Sequence, residues 1–444
     1  MYARILVLYS SFLIVYSNKC YWNNKCSYKY FGSKTIYDEV RGDIRDTAEL
    51  KGCEAVSVWS MIRHGVRHPT SSNVPPMQRA ADLKEDIVRR YLEGHGSMCA
   101  QDINNLQKWS WHEVVSSTPG DLTFEGYKEL HDLGARFHDH FQQLLQKADH
   151  YNFKPTLEQR TIQSAKAFVE GLAGGYLRFK ISNATDRDDI LRPYFYCAKH
   201  DVEVYNGPRS QIEMNKYQET PEFQKLLKNV QKRTGLDEPI SATNATGLYD
   251  LCRFFRAYSS TRTSPWCALF DDDELMVLEY LNDIRHYYRN GYGSPINEKL
   301  AGPALGELLQ QFQASIQHST RSFTGYFSHD SMLQMIYISL GLFRDYPEIS
   351  GYERIPGRKW RTSFMTPFAA NFVTVLHKCV NETGTTDYQV QFFINEEEFH
   401  LCHSRTCSWQ EFREKFDQFN NSNLEFCNID NSNTSALESI VVGL

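Results

Sequence analysis

Val56-Ser57-Val58-Trp59-Ser60-Met61-Ile62-Arg63-His64-Gly65 is a short apolar run that ends in two basic side chains and a glycine. The run from Val56 to Ile62 predicts a buried strand, Gly65 a loop, and the apolar spacing from Met77 to Tyr91 a helix. The same order recurs twice. Tyr151 to Leu157 predicts a strand running into Arg160, which opens a helix carrying Ile162, Ala165, Phe168, Val169 and Leu172 on one face. Phe323 to Phe327 predicts a third strand ending at Ser328-His329-Asp330, with Ser331 to Phe343 continuing as a buried helix. Asn371 to Cys379 and Tyr388 to Ile394 complete a sheet. The expected fold class is α/β: a central mixed sheet flanked by helices, with an interleaved smaller helical lobe. Residues 50–72, 150–198 and 320–444 are expected to form the α/β part, and residues 73–149 and 199–319 the lobe.

In an α/β sheet, ligands sit beyond the carboxyl ends of the strands, where helix N-termini point amide donors and the positive end of their dipoles. Three such ends carry Arg63, His64, Arg67, Arg160, His329 and Asp330. Phosphoryl transfer needs this chemistry. Guanidinium forks bind phosphate oxygens in pairs and stabilise charge on the transferring group. A neutral imidazole can attack phosphorus, and a carboxylic acid can protonate the leaving oxygen. Any one of these residues alone reads as a surface arginine or a satisfied core histidine; their convergence reverses that reading.

Composition narrows the remaining classes. The chain has 444 residues, 41% hydrophobic and 23% charged, with 14% aromatic, which excludes a small disulfide scaffold and global disorder. A net charge of −6 gives no bulk basic field for nucleic acid or an anionic membrane, so an anionic substrate must be held by locally placed cations. Arg4, the apolar stretch from Ile5 to Tyr16 broken by Ser10 and Ser11, and the small Ser17 predict a signal peptide over residues 1–17. As a membrane anchor the stretch is short: twelve helical residues rise about 18 Å against a hydrocarbon core of about 30 Å. No transmembrane span is expected in the mature chain. Eleven cysteines agree with an oxidising compartment, as do sequons at Asn183, Asn244, Asn381, Asn420 and Asn433. His400, Cys402, His403 and Cys407 offer zinc-type ligands, but in a secreted chain Cys402 and Cys407 read better as a disulfide, and no metal is expected. The acidic run Asp271 to Glu274 precedes an apolar periodic stretch and predicts a helix start, not a calcium site. Asn420 to Ser435, rich in Asn and Ser, reads as an exposed tail.

Arg63-His64-Gly65-Val66-Arg67-His68-Pro69 resembles the RHGxRxP signature of histidine acid phosphatases. Leu122-Thr123 with Gly126, Arg160-Thr161 with Ser164-Ala165, and Ser328-His329-Asp330 are similar to further segments of that family. Within it the resemblance is strongest to animal multiple inositol polyphosphate phosphatases, through Ser264-Pro265-Trp266-Cys267, Leu278 to Asp283, Gly291-Tyr292-Gly293, Pro367 to Asn371 and Asn395-Glu396. Two departures stand out. Those enzymes usually carry HAE where this chain has His329-Asp330-Ser331, and Tyr is common where it has His68.

The resemblance implies that His64 attacks phosphorus to form a phosphohistidine, that Asp330 protonates the departing alkoxide, and that Arg63, Arg67, Arg160 and His329 hold the phosphoryl oxygens. It implies no metal or organic cofactor, a small phosphorylated substrate as the partner, and activity at mildly acidic pH if Asp330 must carry a proton. For the non-reacting phosphates of an inositol polyphosphate, the candidates are Thr70, Lys108, Arg358, Lys359 and Arg361, the last three from a run of four cations with Arg354. A solvated basic loop is the competing reading of that run. A broad acid phosphatase, a phosphatase of 2,3-bisphosphoglycerate and a non-catalytic surface protein compete at the level of function. Secretion, the cell surface and the endoplasmic reticulum lumen all remain open as destinations. Likeness to fungal phytases further suggests the disulfides Cys20–Cys26, Cys53–Cys379, Cys197–Cys427, Cys252–Cys267 and Cys402–Cys407, with Cys99 free.

Overall fold

A computed structural model describes residues 20–21, 29–111, 118–258, 263–380 and 383–429. The signal peptide, Cys26, Asn381 and Asn433 lie outside them. Seven strands form one mixed sheet: β1 (Cys53–Arg63), β2 (His150–Pro155), β3 (Ser322–Ser328), β4 (Asn371–Val380), β5 (Thr386–Ile394), β6 (Glu397–Phe399) and β7 (Cys407–Ser408). Their order is β2-β3-β1-β4-β5-β6, with β7 also on β5; β2, β3 and β1 run parallel, and β4 onward alternates. The expected strand segments are all present. Central β1 is buried from Val56 to Arg63, as expected for a parallel strand covered on both faces.

The helices begin with α1 (Val74–Ala81), α2 (Lys84–Leu92), α3 (Ala100–Lys108), α4 (Phe124–Lys147) and α5 (Gln159–Leu172). The single helix expected from Met77 to Tyr91 is therefore two, broken at Asp82-Leu83. Next come α6 (Ala198–His200), α7 (Arg209–Gln218), α8 (Pro221–Thr234), α9 (Ala242–Ala257) and α10 (Asp272–Asn290). The chain continues through α11 (Asn297–Leu300), α12 (Gly302–His318), α13 (Asp330–Ser339), α14 (Thr362–Met365) and α15 (Trp409–Phe416). Asp271 starts α10 as expected: its side chain accepts from the Glu274 amide while Glu274 reaches back to the Asp271 amide, a closed capping box.

One layer of helices differs from the sequence expectation. Leu130, Leu133, Phe137 and Leu144 of α4 pack with Phe168 and Leu172 of α5 onto Val58, Ile62, Phe153, Phe323 and Val373 of the sheet. On the other face Trp59 of β1 reaches Glu307 of α12 at 2.5 Å. Helices α4 and α12 thus cover the sheet and are not part of the lobe. Amphipathic periodicity reports that a helix buries one face and is silent about what buries it.

Four of the suggested disulfides are present: Cys53–Cys379, Cys197–Cys427, Cys252–Cys267 and Cys402–Cys407. The fifth is corrected. Cys20 is bonded to Cys99, so Cys99 is not free and Cys20 does not pair with Cys26. Connectivity follows spatial neighbours, which sequence spacing does not reveal. The tail reading is also revised for residues 420–429, where Leu424 and Cys427 are buried and Gln310 donates to the Asn420 carbonyl. Among the described residues no helix is long and apolar enough to cross a membrane. The disulfides and that absence are compatible with a secretory-pathway protein.

Candidate active site

The carboxyl end of β1 delivers Arg63 and His64, 1% and 2% exposed, into a buried cluster of charged side chains. Four backbone contacts fix the turn. The Arg63 amide donates to the Ala370 carbonyl (2.7 Å), the His64 amide to Ser328 (3.1 Å), the Ala369 amide to His64 (3.1 Å), and the Gly65 amide to Ser164 Oγ (3.2 Å). The sequence segments that looked alike to the family therefore meet here. Thr123 caps α4 through the Gly126 amide while its own amide and hydroxyl both donate to the Val66 carbonyl at 2.9 Å. Gly65 and Gly126 touch so closely that a Cβ on Gly65 would lie 2.3 Å from the Gly126 carbonyl oxygen, and one on Gly126 2.1 Å from that of Val66. Only glycine fits at either position.

His64 Nδ1 lies 2.9 Å from the carbonyl of Gly65, an acceptor only, so Nδ1 carries the proton and donates, leaving the Nε2 lone pair free. Burial and the charges of Arg63, Arg160, His329 and Arg67 hold its pKa well below the usual imidazole value. The ring is neutral and nucleophilic at ordinary pH. The His329 ring stands edge-on to it, 5.4 Å between centroids.

Three guanidiniums share the site. Arg63 donates through Nη1 to the carbonyls of Ser33 (2.6 Å) and Thr366 (2.8 Å), lies over the Phe368 ring, and holds Asp330 at 3.4 Å. Its buried Nε has no protein partner, and neither has that of Arg160. Burial, Arg160 and Arg63 push Arg67 down to about 9. His329 caps α13 and takes two neighbours at Nε2, Thr156 Oγ1 and Glu158 Oε2, both at 3.3 Å; burial brings it to about 4, against the upward pull of Glu158. Arg192 holds the other oxygen of Glu158 at 2.5 Å.

Asp330 begins α13, where the helix N-terminus favours its carboxylate. Burial raises its pKa, but Arg63, His286, Lys34 and His64 outweigh that and carry it well below the ordinary carboxyl value. The unbound protein thus keeps Asp330 ionised.

The substrate-binding candidates are scattered. Thr70 and Arg160 both flank Gly120: a Cβ there would be 3.5 Å from Thr70 Cγ2 and 3.7 Å from Arg160 Nη1. Lys108 and Lys359 are exposed, and Arg361 pairs with Glu279 at 2.8 Å. Arg358 requires a correction. It is buried, with Nη2 2.6 Å from Asp283 and 3.0 Å from Glu279, Nε on Asp283, and Nη1 on the Ile355 carbonyl, so four of its five N–H donors and its charge are spent inside the fold. Glu279 and Asp283 neutralise Arg358 and Arg361, and Glu222 pairs with Arg354; such long-range pairing is invisible in a local count of charges. Missed altogether were Lys34, His286, Glu158 and Glu129. Lys34 sits in Phe31-Gly32-Ser33-Lys34, far upstream of the motif, and had no local signal; Glu158, two residues before Arg160, had one.

The model of the histidine phosphatase superfamily (branch 2) matches residues 56–395. Multiple inositol polyphosphate phosphatase 1 of Drosophila melanogaster is 29% identical over 402 residues, covering 87% of this chain and 85% of the relative; that of Homo sapiens is 27% identical over 410 residues, covering 85% and 83%. The phytase from D. castellii superposes with a TM-score of 0.72 at 15% identity, covering 91% of this chain and 88% of that one. Bifidobacterium longum multiple inositol polyphosphate phosphatase, in complex with inositol hexasulfate, superposes at 0.68 and 15% identity, covering 90% and 100%. This chain belongs to the histidine phosphatase superfamily, branch 2.

Proposed function

We propose that the protein is a phosphomonoesterase that removes phosphate from inositol polyphosphates through a phosphohistidine at His64. The observation that carries this reading is the crowding of Arg63, Arg67 and Arg160, two with unpartnered buried Nε donors, around a neutral imidazole whose Nε2 lone pair is free. Protein acids do not balance these cations; Asp330 is the acid that faces them all. A phosphoryl group does.

In the first step the Nε2 lone pair forms the N–P bond while the ester P–O bond breaks and the leaving oxygen takes a proton. Arg63, Arg67, Arg160 and His329 bear the charge on the three equatorial oxygens. Water then attacks phosphorus, the N–P bond breaks, and Asp330 accepts the proton released by the water. Because the cations keep Asp330 ionised before substrate enters, the first proton arrives with the phosphate monoanion, or passes to Asp330 once the dianion offsets the cations. Either route favours mildly acidic pH, since the second ionisation of a phosphate ester lies at about 6. The route to the secretory pathway rests on residues 1–17, with secretion, the cell surface or the endoplasmic reticulum lumen as the end point.

The test is phosphate release from inositol hexakisphosphate, 2,3-bisphosphoglycerate and an aryl phosphate between pH 4 and 8, with His64→Ala as the control. Turnover of the hexakisphosphate by the native chain and none by His64→Ala is expected. Turnover of the aryl ester alone would favour a broad acid phosphatase, and no release from any ester would sink the proposal.

A further inference from the structure

Gln334 interrupts the buried apolar run from Met332 to Ile338 of α13 and is itself fully buried. A leucine there would pack against the same surroundings without the cost of burying an amide. The amide is engaged at both ends. Its Nε2 donates to Thr366 Oγ1 at 3.0 Å, while its Oε1 accepts from Asn290 Nδ2 at 2.9 Å and faces His286 Nδ1 at 3.3 Å. The chemistry above gives Gln334 no part.

Thr366 leads from the amide to Arg63. Its carbonyl and that of Ser33 occupy Arg63 Nη1, at 2.8 and 2.6 Å. Nη2 faces Asp330 at 3.4 Å, and the buried Nε has no protein partner among the described residues. A guanidinium is planar and rigid, so two bonds at Nη1 fix where the edge formed by Nε and Nη2 points. That edge is a fork able to take two oxygens of a phosphoryl group. No long helix holds Thr366 in place: α14 is a single turn, and Thr366 ends it at φ −137° and ψ 56°, outside the helical region. Tertiary contacts must set its carbonyl, and the Gln334 amide supplies one.

These contacts close a circuit. It runs from Arg63 to Thr366, from Thr366 to Gln334, one turn back along α13 to Asp330, and from Asp330 to Arg63. Residues four apart on a helix are neighbours on one face, so Gln334 and Asp330 belong to the same side of α13. The second anchor of Arg63 is drawn in too, because His286 Nε2 lies 3.4 Å from Ser33 Oγ. We propose that Gln334 is a positioning residue for the reaction: through Thr366 it aims the Arg63 fork at the transferring phosphate and sets the spacing between Arg63 and Asp330. This rests on the phosphatase reading and deepens it. Without the link Arg63 is free to swing onto Asp330, which closes the fork before a phosphate enters.

Two variants of the full chain cut the link from either side: Gln334→Leu, and Thr366→Val, which keeps the Thr366 carbonyl. Affinity for inorganic phosphate by calorimetry, kcat/KM for inositol hexakisphosphate and denaturant unfolding are measured on each. Either variant should weaken phosphate about threefold to tenfold, as for one lost hydrogen bond. Each should lower kcat/KM about tenfold to a hundredfold, as for a misplaced reacting group. The double variant should lose no more than the worse single one. Ile338→Val, farther along the same helix, loses packing alone and should leave phosphate affinity within about twofold. Should Gln334→Leu not fold, Thr366→Val decides. Native phosphate affinity and kcat/KM in a folded link variant, losses that multiply in the double variant, or an equal loss in Ile338→Val would overturn the proposal and leave Gln334 a packing residue. If the native chain bound phosphate but hydrolysed no ester, the phosphatase reading would fall alone, and the phosphate affinities would still decide for or against Gln334. A native chain that neither bound phosphate nor hydrolysed an ester would overturn both.

Discussion

Glu158 Oε2 lies 3.3 Å from Nε2 of His329 and accepts a hydrogen bond from it, while Arg192 anchors the other carboxylate oxygen at 2.5 Å. The carboxylate fixes the imidazole tautomer and opposes the burial that lowers its pKa. Glu158→Gln should therefore weaken competitive inhibition by inorganic phosphate about threefold to tenfold, with the loss moving to lower pH as His329 becomes harder to protonate. A pH profile of the inhibition constant checks it; an identical profile in the variant would remove Glu158 from the phosphate site.

Asp330→Asn leaves the cations in place and removes the proton relay. On inositol hexakisphosphate, whose alkoxide is a poor leaving group, kcat should fall about a hundredfold or more. On an aryl phosphate the fall should be much smaller. Parallel losses on the two esters would assign Asp330 to charge balance alone.

Glu129 accepts the Val66 amide at 2.9 Å and the Tyr37 amide at 3.3 Å beneath the motif loop, and burial pushes its pKa up to about 8. Unfolded, the carboxyl ionises near its ordinary value, so between that pH and about 8 the folded state binds more protons. Stability should then fall as pH rises across this window, by at most about 1.4 kcal/mol per pH unit. Glu129→Gln keeps an acceptor for Val66 and should flatten the slope of Tm against pH from 5 to 8. Superimposable slopes would show that Glu129 ionises normally.

Gly126→Ala places a methyl carbon 2.1 Å from the Val66 carbonyl oxygen. The loop bearing His64 must move, and the expected cost is about 1–3 kcal/mol together with a loss of kcat. Gly357→Ala, with open space around its Cβ, serves as the control and should change stability by less than about 0.5 kcal/mol. Denaturant unfolding and turnover on both variants decide it.

Arg358→Met should destabilise the fold by about 3–5 kcal/mol, because it leaves Glu279 and Asp283 buried without their main counter-charge. Any fraction that folds should keep its KM for inositol hexakisphosphate. A raised KM without lost stability would return Arg358 to the substrate site.

The sequence by itself pointed to the strands and to the charged residues at their ends, and the likeness to fungal phytases suggested four of the disulfides. Val56 to Arg63 reads as a buried strand because its apolar run is continuous, and Arg63, His64, Arg160, His329 and Asp330 all follow strand ends, which a parallel sheet brings to one edge. Such signals are local, or local repeats of one topology. The tertiary structure alone decided which charges are spent and which are available. Arg358 looked like a substrate cation until Glu279 and Asp283 were found against it, and Lys34 looked like nothing until the fold carried it beside Arg63 and Asp330. Cys20 found Cys99, and α4 found the sheet, by the same route. Pairing energies depend on distance and burial, and residues far apart in the chain acquire both only when the fold closes.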